Sequence, residues 1–278
     1  MLKSWRVLGR WLRLRRRHWR WSQATDAAPE AAEPVVRSQL LSSEQLQEYG
    51  KSLARDHRVS KRPGPDMLLA RLRENAAILD DATAFLTAMA RDDVRITPAG
   101  EWLLDNYYLI EEQIRIARRH LPKNYSRELP SLISGASAGM PRVYDLAMRA
   151  ITHSDGRIDA DTIARFVAAY QSVTPLVLGE LWAIPIMLRL AAIENLRRVS
   201  VRVIRDGADH RIACEWADRL NATAADAPQD VVLVVADMAR SQPPTSGSFV
   251  AELSRRLQGR SATLAMPMMY VAKSDGSA

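Results

Sequence analysis

The chain has 278 residues, 47% hydrophobic and 26% charged, which is enough for one or two globular domains with a sizeable core. Its single cysteine, Cys214, excludes an internal disulfide framework and fits a reducing compartment. The net charge of +7 arises within residues 1–21, which carry eight basic side chains and no acid, whereas the remainder carries 31 basic and 32 acidic side chains. The body of the protein is therefore not the basic surface that nucleic-acid binding requires.

Residues 1–21 form a basic arm that also holds four of the seven tryptophans. Arginine with tryptophan favours contact with an anionic membrane surface, where each basic residue contributes about 1 kcal/mol. The residues predicted to make this contact are Trp5, Arg6, Arg10, Trp11, Arg13, Arg15, Arg16, Arg17, Trp19, Arg20 and Trp21. A disordered, non-specifically adhesive tail is the alternative. We predict no nucleic-acid partner, because the rest of the chain adds no basic domain to the arm.

Residues 22–65 are predicted to be a linker with one short helix, at 41–58, for which Ser43 is the expected N-cap. The break at 61–65 reads Lys-Arg-Pro-Gly-Pro and separates this segment from a helical bundle domain at 66–260. Helices are predicted there at 66–91, 99–121 and 142–152. Thr97 followed by Pro98 marks the start of the second, and Trp102 and Leu109 are expected to broaden its buried face.

The stretch 174–198 is predicted to be the central buried helix of the bundle, starting at Thr174 and Pro175. Its expected apolar face is Leu178, Leu181, Trp182, Pro185, Leu188, Ala192 and Leu196. Pro185 should kink it, because proline removes one backbone hydrogen bond. Glu180 and Arg189 interrupt the apolar run, so it is not a membrane span. Three weaker helices are predicted near 209–223, 226–240 and 246–259, and the fold class is an all-α, irregular multi-helix bundle.

Two glutamates of the central helix, Glu180 and Glu194, lie in apolar surroundings and need partners there, for which Arg189 and Arg197 are the candidates. Structural ion pairing is the favoured interpretation, and a functional pocket is the alternative.

Asp159-Ala160-Asp161 has the D-x-D form that holds a metal in many glycosyltransferases, but its position at a helix start favours capping. The five histidines appear scattered without ligand spacing, and Cys214 is expected to be a small buried residue. No residue of the chain is predicted to be catalytic or to bind a metal or cofactor.

Three long strings, at 98–130, 141–159 and 166–198, closely resemble the N-terminal region of cyclic β-1,2-glucan synthases, and the similarity spans roughly 66–260. The resemblance implies a bacterial inner-membrane enzyme that uses UDP-glucose with Mg²⁺ or Mn²⁺, initiates on itself, and elongates and cyclises a glucan at the cytoplasmic face. The family's transferase domain and membrane spans lie downstream of these strings, and no catalytic residue of the family matches this chain.

After residue 260 the sequence departs from the family and ends in small polar residues, so 261–278 is expected to be the tail of a truncated or frameshifted product or of a fragment. The expected function is a docking or regulatory portion of the synthase, with the missing transferase and membrane regions as partners. The alternative is a stand-alone helical interaction module that the arm holds at an anionic membrane surface. An independent enzyme is the least favoured hypothesis.

Overall fold

The computed structural model describes residues 41–60, 64–91, 96–154 and 159–258, and its regular elements there are helices. The α-helices are α1 (Ser43–Asp56), α2 (Leu68–Arg91), α3 (Pro98–Asp105), α4 (Tyr107–Arg119), α5 (Arg142–His153), α6 (Ala160–Gln171), α7 (Leu178–Asp226), α8 (Val231–Ser241) and α9 (Gly247–Leu257). Short 3₁₀ helices occupy Tyr125–Glu128 and Pro228–Asp230. Within the described ranges, β-structure is limited to two isolated bridges, so the all-α prediction is confirmed.

The described part of the chain divides into two compact units. The first contains the residues up to Leu79 together with Tyr108–Val199, and the second contains Asp80–Tyr107 together with the residues from Ser200 onward. Helices α2 and α7 contribute residues to both units. The predicted boundaries at residues 21, 65 and 260 stay a prediction.

Helix α1 begins with a complete capping box on Ser42, one residue before the predicted cap. The Gln45 backbone N–H donates to Ser42 Oγ at 3.2 Å, and the Ser42 N–H donates to Gln45 Oε1 at 2.9 Å. The helix packs against α6 in the core of the first unit. That core contains Leu46, Leu53, Ala54, Leu146, Ala150, Ile163, Phe166, Val167, Tyr170 and Leu176. Part of the segment 22–65, which was predicted to be a linker, is therefore a helix whose apolar side chains are buried in a core.

The predicted helix 99–121 is two helices, α3 and α4, separated at Asn106 with φ −104° and ψ 8°. Thr97 is the N-cap of α3 as predicted, because its hydroxyl oxygen accepts a hydrogen bond from the Gly100 N–H at 3.3 Å. The buried face is narrower than predicted, since Trp102 is 53% exposed and Leu109 is 42% exposed.

Helix α7 differs most from its prediction. It begins at Leu178, not at Thr174, whose hydroxyl instead donates to the Ala54 carbonyl at 3.2 Å. It continues to Asp226 and so includes the helix predicted separately near 209–223. Pro185 lies inside the helix, which continues past it.

The buried face of α7 is also rotated from the predicted one, because Leu178 and Trp182 are 69% and 78% exposed. The residues that are buried along this part of the helix are Glu180, Ala183, Met187, Leu190, Ala191, Ile193, Glu194 and Arg197. These positions follow helical spacing, and two of them are glutamates that an apolar pattern does not count. Their arginine partners allow them to occupy core positions.

The second unit has its own core, in which α8 and α9 pack with the later part of α7. Its members are Ala213, Ala217, Leu220, Val231, Met238, Phe249, Leu253 and Leu257. The run from Val231 is helical as predicted. Among the described residues, no helix combines the length and the apolar character that crossing a bilayer requires.

Candidate functional site

Two clusters of buried polar side chains lie in the first unit. The Glu180 cluster consists of Glu180, Arg142, Tyr170, His57 and Asp145. The Glu194 cluster consists of Glu194, Arg71, Asn75 and Arg197. Since buried charges are costly unless they are paired, these clusters are where the fold requires specific partners.

In the Glu180 cluster, a fully buried carboxylate meets an arginine from another helix. Arg142 lies at the first position of α5, and its Nε donates to Glu180 Oε1 at 2.9 Å while its Nη2 binds the other carboxylate oxygen. The backbone N–H of Val177 also donates to Glu180 Oε2, at 3.0 Å, just before α7 begins. The guanidinium and the helix start therefore neutralise Glu180 together.

The hydroxyl of Tyr170 continues this cluster toward a histidine. The Arg142 Cζ atom lies over the Tyr170 ring, 5.9 Å from the ring centroid. The Tyr170 hydroxyl is 2.9 Å from His57 Nδ1. Burial raises the pKa of Tyr170 to about 12, so the hydroxyl keeps its proton at neutral pH. A protonated hydroxyl donates to Nδ1 when the neutral imidazole carries its proton on Nε2.

That tautomer of His57 suits its second partner, Asp145, whose Oδ2 lies 3.2 Å from His57 Nε2. Burial raises the pKa of Asp145, but hydrogen bonds from His57 and Ser137 and the charge of Arg149 outweigh burial and hold it below its usual value. Asp145 is therefore an anion at neutral pH. Its contacts with His57, at the end of α1, and with Ser137, in the 130–140 loop, connect both segments to α5.

The Glu194 cluster is a carboxylate surrounded by donors from two helices. Arg71 Nε and Asn75 Nδ2, both from α2, donate to Glu194 Oε2 at 2.9 and 2.7 Å. Arg197 Nη2, one turn along α7, donates to Oε1 at 2.9 Å. Burial raises the pKa of Glu194, but the charges of Arg197 and Arg71 outweigh it and lower the pKa to about 2. The carboxylate is therefore ionised throughout the physiological range.

In both clusters the carboxylate oxygens are bound by hydrogen-bond donors of the protein. Each glutamate accepts two or more short hydrogen bonds from protein donors, which gives it a role in joining helices. Of the arginines predicted as partners, Arg197 binds Glu194, whereas Arg189 is only half-buried and the guanidinium that reaches Glu180 is that of Arg142. The sequence did not single out Arg142, because a contact between α5 and α7 leaves no periodic signal.

The comparison with known proteins identifies the relationship. Over 187 residues, which make up 66% of the chain, the sequence is 38% identical to the cyclic beta-(1,2)-glucan synthase NdvB of Rhizobium meliloti (strain 1021). The chain is similar to part of a cyclic glucan synthase. The matched residues cover 6% of NdvB, so the chain spans a small part of this relative. No family model matches the chain. The resemblance predicted from the sequence is thus confirmed.

The remaining predictions about individual residues concern Asp159 and the N-terminal arm. Asp159 is the N-cap of α6 as expected, accepting hydrogen bonds from the backbone of Asp161 and Thr162. The arm residues predicted to contact a membrane, from Trp5 to Trp21, lie outside the described residues, as does the tail 261–278.

Sequence reasoning missed a third cluster, in the second unit. His210, Cys214 and Glu252 bring one side-chain ligand atom each to within 4.8 Å of one another. The sequence analysis grouped His210 with the scattered histidines and did not pair it with Cys214. The signal was present, because His210 and Cys214 are four residues apart and so share one face of a helix.

Proposed function

We propose that this chain is a helical docking or regulatory portion of a membrane glycosyltransferase that makes cyclic β-1,2-glucan from UDP-glucose. The similarity of 187 residues to NdvB carries the proposal. In this proposal the nucleotide sugar and its Mg²⁺ or Mn²⁺ bind elsewhere in the enzyme, because the carboxylates of the two buried clusters already bind arginine side chains.

An exposed apolar surface supports a docking role. The α7 entry surface consists of Val173, Val177, Leu178 and Trp182, each between 39% and 78% exposed. Between residues 171 and 188 the only charged side chain is Glu180, which is buried against Arg142. Exposed apolar patches mark sites of contact with proteins or membranes, and a docking role takes this one as a protein contact. We assign it to a neighbouring segment of the same synthase, since the matched residues cover only 6% of NdvB.

An exchange of segments tests this proposal. The residues of NdvB that match this chain are replaced by the chain's own, and cyclic glucan production from UDP-glucose is measured in membranes. We expect the chimera to retain activity within a few-fold of NdvB. We expect Leu178→Ser with Trp182→Ser in the chimera to lower activity at least tenfold, because docking loses its apolar contact. Leu233→Ser is the matched control, since Leu233 is 65% exposed on α8 in the other unit.

Two results would contradict the proposal. One is equal glucan production by the chimera and by its Leu178→Ser, Trp182→Ser form, with both proteins present at equal amounts. The other is incorporation of UDP-[¹⁴C]glucose by the purified chain alone, which would place catalysis within it.

A second candidate function rests on the arm, whose first 21 residues hold eight basic side chains and four tryptophans. We propose that the arm attaches the chain to an anionic membrane surface at the cytoplasmic face, as part of the synthase or as a stand-alone interaction module. Co-sedimentation with anionic and neutral vesicles compares the chain with a form lacking 1–21. Binding should require the anionic lipid, fall as salt rises and be lost with the arm. Equal sedimentation of the two forms would refute this role.

A further inference from the structure

The second unit contains a group of potential metal ligands that neither buried cluster includes. His210 and Cys214 lie one turn apart on α7, and Glu252 lies on α9. Glu252 Oε2 is 3.8 Å from His210 Nδ1, and Glu252 Oε1 is 3.6 Å from Cys214 Sγ. The third distance, between the histidine and cysteine ligand atoms, is below 4.8 Å.

These separations match those between ligands on one small cation. Zinc binds sulfur at about 2.3 Å and nitrogen or oxygen at about 2.0–2.2 Å, so two ligand atoms of a tetrahedral site lie about 3.3–3.8 Å apart. The distance from Glu252 to Cys214 falls in this range. The distance from Glu252 to His210 is a few tenths of an ångström longer than the roughly 3.3–3.6 Å expected between a nitrogen and an oxygen ligand, so a small side-chain movement would complete the site. Each of the three side chains is a recognised zinc ligand.

We propose that His210, Cys214 and Glu252 bind a divalent cation of the zinc class, with water at the fourth position. A thiolate with an imidazole selects Zn²⁺ or Co²⁺ over Mg²⁺ and Ca²⁺, which prefer oxygen ligands. This site rests on the geometry of the second unit and is independent of the proposed role in glucan synthesis.

The neighbours of Glu252 set how tightly the cation binds. Arg255 donates to both carboxylate oxygens, at 2.6 Å to Oε1 and 2.8 Å to Oε2, and Arg256 donates to Oε1 at 2.7 Å. A carboxylate has about four lone-pair positions, so these three bonds leave one position, on Oε2, for a metal. Their two positive charges nevertheless oppose a dication. Removal of the Arg255 charge should therefore strengthen cation binding, and Arg255 is the safer of the two to change because its side chain is 62% exposed.

Protons should compete with the cation for the cysteine. Burial raises the pKa of Cys214, so the thiol carries its proton at neutral pH and must release it on binding. Hydrogen bonds from Arg255 lower the pKa of Glu252 to about 2, so this ligand is already ionised.

Titration of the reduced, metal-free full chain with Co²⁺ tests the site. A thiolate bound to Co²⁺ gives a charge-transfer band, and Cys214 is the only cysteine, so the band reports this residue alone. We expect the band to saturate at one equivalent, to vanish in Cys214→Ser and to be displaced by Zn²⁺. His210→Ala should weaken binding at least tenfold, and Arg255→Gln should tighten it several-fold. His120→Ala is the control, since His120 is exposed and belongs to the first unit.

Three results would overturn the site. They are absence of the band in the wild-type chain at saturating Co²⁺, equal affinity of the wild-type and His210→Ala chains, and a loss of affinity in His120→Ala as large as in His210→Ala. Circular dichroism of each variant verifies that it is folded. None of these readouts uses glucan synthesis, so failure of the site leaves the NdvB chimera test unaffected, and the reverse also holds.

Discussion

Glu194 and Glu252 have the same lowered pKa, about 2, but they reach it in different ways in the two units. Glu194 is 1% exposed, and Arg71 and Asn75, more than 100 positions earlier in the chain, bind it. Glu252 is 7% exposed and receives its strongest hydrogen bonds from Arg255 and Arg256 of its own helix.

A lowered pKa of a glutamate therefore does not indicate how much of the fold depends on its charge. The partners of Glu194 are fixed only when α2 and α7 pack, so its charge couples tertiary contacts. The partners of Glu252 lie three and four residues away, and such pairs form within a single helix, with a small contribution that salt screens. Loss of Glu194 should therefore damage the fold, whereas loss of a Glu252 partner should be tolerated.

The largest effect is expected for Glu194→Gln. The amide cannot neutralise Arg71 and Arg197, and breaking a buried pair costs about 3–5 kcal/mol. Urea unfolding followed by circular dichroism measures the free energy of unfolding, with Glu48→Gln on an exposed face of α1 as the control. A loss below about 1 kcal/mol would contradict the role assigned to the Glu194 charge in joining α2 and α7.

Low pH should remove the contribution of the Glu194 charge to the stability of the wild-type chain. The pKa of Glu194 is about 2 in the folded chain and near 4.5 in the unfolded chain, where its partners are absent. Between these two pH values the unfolded state therefore binds one more proton than the folded state. Stability from this group is complete above pH about 4.5 and is lost as the pH falls toward 2, by on the order of 3 kcal/mol. The pH dependence of the free energy of unfolding measures this loss.

The variant Glu194→Gln provides the control for the acid experiment, because it cannot titrate at this position. Its stability should fall less steeply over the same pH range, with the remaining slope due to groups such as Asp145 and Glu252. Parallel curves for the two proteins would contradict the assignment of the slope to Glu194.

A smaller effect is expected for Tyr170→Phe, which removes the hydroxyl between Arg142 and His57 but keeps the ring in the core. His57 Nδ1 then loses a buried partner, which costs about 1–2 kcal/mol. The free energy of unfolding should fall by that amount. Tyr108→Phe is the matched control, because Tyr108 is 66% exposed, and a fall of equal size in both variants would remove the buried hydrogen bond as the cause.

The smallest effect is expected for Arg255→Gln. Its side chain is 62% exposed and its hydrogen bonds to Glu252 lie within one helix, so the free energy of unfolding should be nearly unchanged. Thermal unfolding at low and high salt measures the change. A loss as large as that in Glu194→Gln would mean that the local pair supports the second unit as strongly as Glu194 supports the first.

The sequence predicted those parts of the fold that follow local rules. The all-α class, the caps at Thr97 and Asp159 and the helix from Val231 depend on neighbours within four residues. The exposed side of α7 at Trp182 was missed, because it depends on which apolar residues other helices cover. The break at Asn106 was also missed, although its side chain forms a local hydrogen bond to the Trp102 carbonyl at 2.8 Å.

The candidate sites show the same limit. Glu180 and Glu194 were recognised as buried charges from their apolar surroundings, but Arg142 and Arg71 were not, since both lie on other helices. His210 and Cys214 were within reach of sequence analysis, because their spacing is local, but Glu252 completes the group only when α9 packs beside α7. Partner choice between helices is a tertiary property that one sequence does not display.

Gly50 of α1 also limits how this protein can change over evolutionary time. A Cβ atom at this position would lie 3.0 Å from the Phe166 ring and 3.1 Å from the Phe166 carbonyl oxygen. A smaller residue at 166 would relieve the ring contact but leave the contact with the backbone. A larger residue at position 50 therefore requires the Phe166 backbone to move by a few tenths of an ångström. Homologous chains that keep this close pair of helices should favour glycine at this site.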